Sequence, residues 1–177
     1  MVEEINCPSA IATTYTGKTL RGLRELRDII FPKDPSVRVE TANYPDVLLI
    51  YTSLPKEDLR NLLISKKPSV VARIVIADKC LRVSRENYFQ QIIENSLELI
   101  SSKTNTSINF YVDCISRGRI IESCRVLEIE IGRIIKERGL GKVSFKNPSK
   151  VLKIEVVDDI VIIALINPKE DRLRKHV

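Results

Sequence analysis

The chain has 177 residues, 44% of them hydrophobic, with a net charge of +6 and a pI near 9.2. That length supports one substantial core or two small ones, and no apolar run approaches the roughly 20 residues that a membrane span needs. Met1-Val-Glu-Glu-Ile-Asn is acidic where a secretory signal would be basic and then apolar, so a cytoplasmic protein is expected.

In chain order, residues 11–15 are β-prone, and Gly17-Lys18-Thr19 reads as a turn with Thr19 placed to cap a helix. Leu20, Leu23, Leu26 and Ile30 give that helix its apolar stripe, with Arg21, Arg24 and Arg27 on other faces. Phe31-Pro32 ends it, because proline disfavours helical geometry in the residue before it. Residues 36–41 and 46–52 read as strands joined by a turn at Asn43-Tyr-Pro45. Pro55 opens a second helix, with Glu57 and Asp58 at the positive end of its dipole and Leu59, Leu62 and Leu63 facing inward. Residues 70–83 are β-rich with a polar interruption at Asp78-Lys79. The order strand, helix, strand, strand, helix, strand is that of a ferredoxin-like plait.

Phe89, Ile92, Ile93, Leu97 and Ile100 recur at helical spacing, and a polar run over 101–107 ends that helix. Residues 108–115 are extended, Arg117-Gly118 is a corner, and 120–138 is an amphipathic helix with Ile120, Ile121, Cys124, Leu127, Ile131, Ile134 and Ile135 on one face. Gly139 and Gly141 suit its C-terminus. Pro148 argues against a central strand nearby. Residues 151–156 alternate, with Lys153 and Glu155 on a face expected to be wet, and 160–166 are apolar throughout, as a strand covered on both sides would be. Asp158-Asp159 is the turn between them. A domain boundary is expected near Arg85, giving domains over 1–85 and 86–177.

Charge is unevenly distributed. Between Arg60 and Arg85 seven Lys/Arg stand against one acid, and between Arg117 and Lys153 ten stand against four. Each segment carries +6 and the remainder sums to −6, which is how a polyanion-binding face looks before folding. Aromatic residues are few and scattered, which argues against a stacking platform for single strands and for recognition of a folded RNA by backbone and shape. No helix-turn-helix or zinc-finger pattern points to duplex DNA. The basic tail over 172–177 is a further candidate for phosphate contact.

Chemistry is harder to find. Arg138-Gly-Leu-Gly-Lys142 fails both the Walker and the dinucleotide spacings, and is read as a helix end whose lysine can meet a phosphate. The lone histidine, His176, sits beside the carboxyl terminus, which removes Ser-His and Cys-His nucleophile arrangements. Cys7, Cys80, Cys114 and Cys124 show no metal-ligand spacing and are read as small half-buried thiols in a reducing compartment, with a Cys114–Cys124 disulfide as the alternative. No metal, cofactor or small-molecule substrate is expected. The candidate phosphate-contacting residues are Arg73, Lys79, Arg82, Arg117, Arg119, Arg125, Arg133, Lys142, Lys146 and Lys150. The other readings are a small RNA-modifying enzyme using a carboxylate or lysine, and a protein-interaction module.

An ordered set of short segments carries a family resemblance. These are Thr13-Thr-Tyr-Thr-Gly17 with Arg24-Glu-Leu26, Ala72-Arg-Ile-Val-Ile76, residues 110–113 with Arg117-Gly118, and Val143-Ser-Phe-Lys-Asn-Pro148 before 151–156. Together they resemble the THUMP domain with its amino-terminal ferredoxin-like companion. The resemblance implies an α+β fold, a ferredoxin-like plait followed by an α/β THUMP domain, and a non-catalytic tRNA-binding role. Free-standing members assist a separate acetyltransferase that forms 4-acetylcytidine in tRNA, which implies tRNA and such an enzyme as partners. This chain departs from the family pattern at Ser144 and Phe145, where Asp-Leu is usual, at Ser149, where Asp is usual, and at Ala77, where proline is common.

Overall fold

In a computed structural model, residues 6–173 are described and fall into two units. The basic tail beyond Leu173, including His176, lies outside the described residues. No helix among the described residues is long and apolar enough to cross a membrane.

The first unit contains β1 (Ala10–Thr14), α1 (Thr19–Ile30), β2 (Arg38–Thr41), β3 (Val47–Tyr51), α2 (Lys56–Lys66) and β4 (Val71–Ile76). Its sheet is antiparallel throughout, in the order β2-β3-β1-β4, which is the expected plait. Alternate residues of β1 and β3, Ala10, Ala12, Leu48 and Ile50, meet Leu26 and Ile30 of α1 and Leu59 and Leu63 of α2 in one buried cluster. Thr19 does not cap α1. Its hydroxyl donates instead to Asp46 Oδ1 at 2.9 Å, an oxygen that also accepts from the Gly17 N–H at 3.0 Å. Asp46 thus fastens the β1–α1 turn from the far side of the sheet's connectivity, and the helix start goes without a side-chain cap.

The second unit contains β5 (Lys79–Arg82), α3 (Tyr88–Lys103), β6 (Ile108–Arg117), α4 (Cys124–Glu137), β7 (Gly141–Val143), β8 (Lys150–Val157) and β9 (Ile160–Ile166). Its strands lie in the order β5-β9-β8-β6-β7, with β6 parallel to β7 and β8, and β9 antiparallel to β8 and β5. Ile92 and Ile100 of α3 and Leu127, Ile131 and Ile135 of α4 share a core with Phe110, Leu152, Ile154 and Ile163. Strand β9 is buried along its whole length, as its apolar run implied.

Several expectations are corrected. The division falls between Ala77 and Asp78, not near Arg85. The Ala77 N–H bonds the Ser9 carbonyl at 2.8 Å while the next N–H, of Asp78, bonds that of Ile163 at 2.9 Å, so consecutive residues belong to different sheets' surroundings. The chain from Glu170 onward returns to the first unit, where Asp171 accepts from the Ile74 N–H at 2.8 Å and Glu170 meets Arg60 at 2.7 Å. Helix α4 starts at Cys124, where the Ser123 hydroxyl accepts from the Val126 N–H at 3.3 Å, and Ile121 is buried from the preceding loop. Lys153 and Glu155 are 3% and 1% exposed, not wet. Each has an opposite charge on the neighbouring strand, Asp113 at 2.5 Å and Arg117 at 3.0 Å, as buried charges require. Cys114 and Cys124 form a disulfide, and no cysteine remains a free thiol.

Asp34 is 4% exposed and accepts from the Ser36 hydroxyl at 2.5 Å, the Thr52 hydroxyl at 2.6 Å and the Ser53 and Ser36 N–H groups at 2.8 and 3.0 Å. The bond from Ser36, then those from Thr52 and Ser53, hold its carboxyl well below the usual range. A depressed folded-state pKa contributes stability above the unfolded value and loses it as pH falls. Asp34→Ala is therefore expected to cost about 2 kcal/mol at neutral pH. Urea unfolding of both forms checks this, and their difference should shrink as pH falls below the ordinary carboxylate range of about 4.

Candidate nucleic-acid interface

Helix α4 ends in a Schellman arrangement. The Leu140 N–H bonds the Ile135 carbonyl and the Gly139 N–H bonds that of Lys136, both at 3.0 Å, with Gly139 at φ 70°. The chain can then turn at once into β7. Gly141 lies so close to β6 that a Cβ there would stand 2.8 Å from the Ile108 carbonyl oxygen, and a Cβ at Gly132 would meet the Val143 side chain at 3.4 Å. Glycine at these places lets α4, β7 and β6 close on one another.

The turn after β7 carries the chain from one edge of β6 to the other. The Ser144 N–H bonds the Phe110 carbonyl at 2.7 Å, the Ser149 N–H bonds that of Asn109 at 2.8 Å, and the Asn147 N–H bonds the Ser144 hydroxyl at 3.3 Å. Residues 144–149 are thereby fixed at both ends, and Pro148, as expected, sits outside any strand. Phe145 is 76% exposed, and its ring lies over that of Tyr111 with centroids 5.9 Å apart. Residues paired in register share a sheet face, so Lys142, opposite Asn109, stands on the face of Tyr111, away from α4.

The ten predicted cations separate into two groups. Five have carboxylate partners. Lys79 meets Glu98 at 2.6 Å, Arg82 grips both oxygens of Asp159 at 2.8 and 2.9 Å, and Arg117 is committed to buried Glu155. Arg133 is clamped between Glu130 at 2.5 Å and Glu137 at 2.6 Å, which push its guanidinium pKa further up. Arg73, in the first unit, faces Asp171 at 3.9 Å. The other five, Arg119, Arg125, Lys142, Lys146 and Lys150, have no acidic partner among the described residues, and Lys150 donates to the neutral Asn167 amide oxygen at 2.9 Å.

Position separates them as well. Lys79 and Arg82 belong to β5, at one edge of the five-stranded sheet, and Lys142 to β7, at the other. At about 4.8 Å between strands, the edges stand roughly 19 Å apart. The structure thus does not merge the two basic segments within this unit. At 100° per residue Arg125, Gly132 and Lys136 run along one flank of α4, the flank that Gly132 turns to β7. Lys136, absent from the predicted set, is exposed and without an acidic partner among the described residues and extends that flank, and Arg138, also exposed and without one, caps the helix end. Arg125 lies in the first turn of the helix, about 16 Å along its axis from Lys136, and Arg119 in the loop before it, with exposed Glu122 between them in sequence.

No protein-family model matches the chain, and no curated protein matches its sequence. Solved structures do. The chain is similar to TrmN from Thermus thermophilus, at 18% identity and a TM-score of 0.66 over 93% of this chain and 46% of that one. It is similar to PH1313 from Pyrococcus horikoshii, at 12% identity and a TM-score of 0.62 over 89% of this chain and 54% of that one. A 4-thiouridine synthetase in complex with RNA and bound ATP gives 19% identity and a TM-score of 0.56, over 90% of this chain and 41% of that one. The fold is THUMP-like. The chain spans about half the length of these neighbours, between 41% and 54%.

Within this THUMP-like fold the disulfide ties β6 to the first turn of α4 and closes the loop that carries Arg117 and Arg119. The loop is further held by Arg85, whose guanidinium donates to the Arg119 carbonyl at 3.1 and 3.2 Å. Closing so short a loop restricts the unfolded chain, so the pair Cys114→Ser, Cys124→Ser is expected to cost about 2–3 kcal/mol. Urea denaturation of the oxidised protein against the double variant measures it.

Proposed function

We propose that this chain is a non-catalytic tRNA-binding protein that grips RNA backbone along the β7 edge and presents it to a separate modification enzyme. The observation that carries the reading is the contrast between cations. Lys136 and Arg138 at the end of α4, Lys142 in β7, Lys146 in the loop after it and Lys150 at the start of β8 have no carboxylate partner among the described residues, whereas Lys79, Arg82 and Arg133 are ion-paired. Unneutralised lysines and arginines on a fixed edge release counterions when they meet phosphates, which acid-paired ones do far less. The similar 4-thiouridine synthetase was solved with RNA bound, which supports RNA as the ligand class. The partner that the sequence resemblance implies is an acetyltransferase forming 4-acetylcytidine.

Lys146→Ala with Lys150→Ala is expected to weaken tRNA binding about equally across sequences and to lower the salt slope by about one to two units. Lys79→Ala with Arg82→Ala should leave both quantities close to those of the parent. Filter binding across a salt series reads the two pairs side by side, and an unchanged slope in the first pair would remove the β7 edge from the site.

A second reading follows from the neighbours, which include a synthetase with bound ATP and are about twice this chain's length. On that reading the chain is the RNA-gripping part of a modification activity. Mass spectrometry of tRNA nucleosides after incubation with the protein and candidate cofactors separates the two. An adaptor leaves the nucleosides unaltered, and any new modified nucleoside favours the second reading.

A further inference from the structure

We propose that the Cys114–Cys124 disulfide is a redox latch: exchange with a dithiol opens it in the folded protein and frees the loop before α4 together with that helix's first turn. The bond joins residues 10 apart in sequence, from β6 to the first residue of α4. Between them the loop turns at Gly118, at a φ of 122° that glycine favours, and leaves Arg119 and Glu122 exposed. Its β6 end is firmly held, because Arg117 is paired with Glu155 and its carbonyl accepts the Asp158 N–H at 2.8 Å. The α4 end is looser. There the Ser123 hydroxyl and carbonyl accept the Val126 and Leu127 N–H groups, each at 3.3 Å, beyond the usual range for such bonds.

The rest of the unit does not need the bond. Leu127, Ile131 and Ile135 are wholly buried, and Glu128 accepts the Cys114 N–H at 2.9 Å, a second tie between β6 and α4 that reduction leaves in place. Opening is therefore a local event. Access sets the chemistry, since Cys124 is half-buried at the helix start and Cys114 is only 8% exposed. The first thiolate of the dithiol attacks the Cys124 sulfur, the S–S bond breaks, and its electron pair goes to the Cys114 sulfur, which takes a proton. The second thiolate then closes the dithiol into its own disulfide and expels Cys124 as a thiolate at the positive end of the α4 dipole, where it takes up the second proton. Arg125, next to Cys124, stands on the flank of α4 that leads to β7. With the latch open, Arg119 and Arg125 must be ordered anew for every phosphate they meet, so reduction weakens the RNA grip. That consequence rests on the RNA-binding reading above.

The test holds the wild-type protein in buffers of reduced and oxidised dithiothreitol and follows the Cys114 and Cys124 thiols by alkylation and peptide mass mapping. They are expected to appear while circular dichroism still reports the folded protein, and thiols that appear only after urea has unfolded it overturn the latch. Hydrogen exchange at the Val126 and Leu127 amides should run about ten-fold faster in the reduced form, with Ile131 and Ile135 unchanged. Equal rates at Val126 and Leu127 in both forms overturn the latch as well. In filter binding the reduced protein should hold tRNA about five-fold more weakly than the oxidised one, and the Cys114→Ser, Cys124→Ser double variant should bind equally weakly in either buffer. Equal affinity of the two wild-type forms, or an equal response to reductant in the double variant, which would trace it to Cys7 or Cys80, overturns the control of binding. Retention of no tRNA in either form overturns the RNA-binding reading alone, because thiol mapping and hydrogen exchange still decide the latch.

Discussion

Parallel pairing on both sides of β6 is the constraint that shapes the second unit. Parallel neighbours cannot be joined by a tight hairpin, so the chain must cross over through α4 to reach β7 and then pass across β6 to begin β8. The first crossing places a helix flank with Arg125 and Lys136 beside the edge strand. The second crossing leaves no room for slack, and its ends donate the Ser144 and Ser149 N–H groups to the Phe110 and Asn109 carbonyls. The exposed loop owes its fixed shape to this route, and the arrangement of lysines and rings around β7 follows from the topology.

Electrostatics then decides which cations remain available. Arg117 balances Glu155 and Asp113 balances Lys153 along adjacent strands, where Glu155 and Lys153 are too buried for water to do so. Such pairs hold the sheet's charged stripe together but present little charge outward. Arg133, though exposed, sits between carboxylates one helical turn away on either side. The net charge of a segment is therefore a poor guide to its outward field, because the compensating acids come from other strands and turns.

Much of the architecture was legible from periodicity. Leu26, Leu59, Leu127, Ile131 and the β9 run are buried as their spacing implied, because helix and strand periods follow from local geometry. Partner choice over long range was not legible. Residues 70–83 are β-prone on both sides of the polar Asp78-Lys79, and nothing local tells that β5 leaves the first sheet to pair with β9. The alternation over 151–156 showed two faces, but not that the charged one is buried. Strand β7 was hidden by its three residues. Of the candidate site, Lys142, Lys146 and Lys150 were named from charge and loop position, whereas the Arg82–Asp159 pair, 77 residues apart, and the Tyr111–Phe145 contact are products of tertiary folding.

The return of the chain to the first unit after Lys169 bears on the order in which the protein assembles. Domains made early on the ribosome ordinarily close first. Here the amino-terminal plait receives the Asp171 carbonyl and the Glu170 carboxylate only after the whole second unit has been synthesised. The contiguous second unit can settle while the first still waits for its last fastening, so of the two units the one made earlier is the later to be completed.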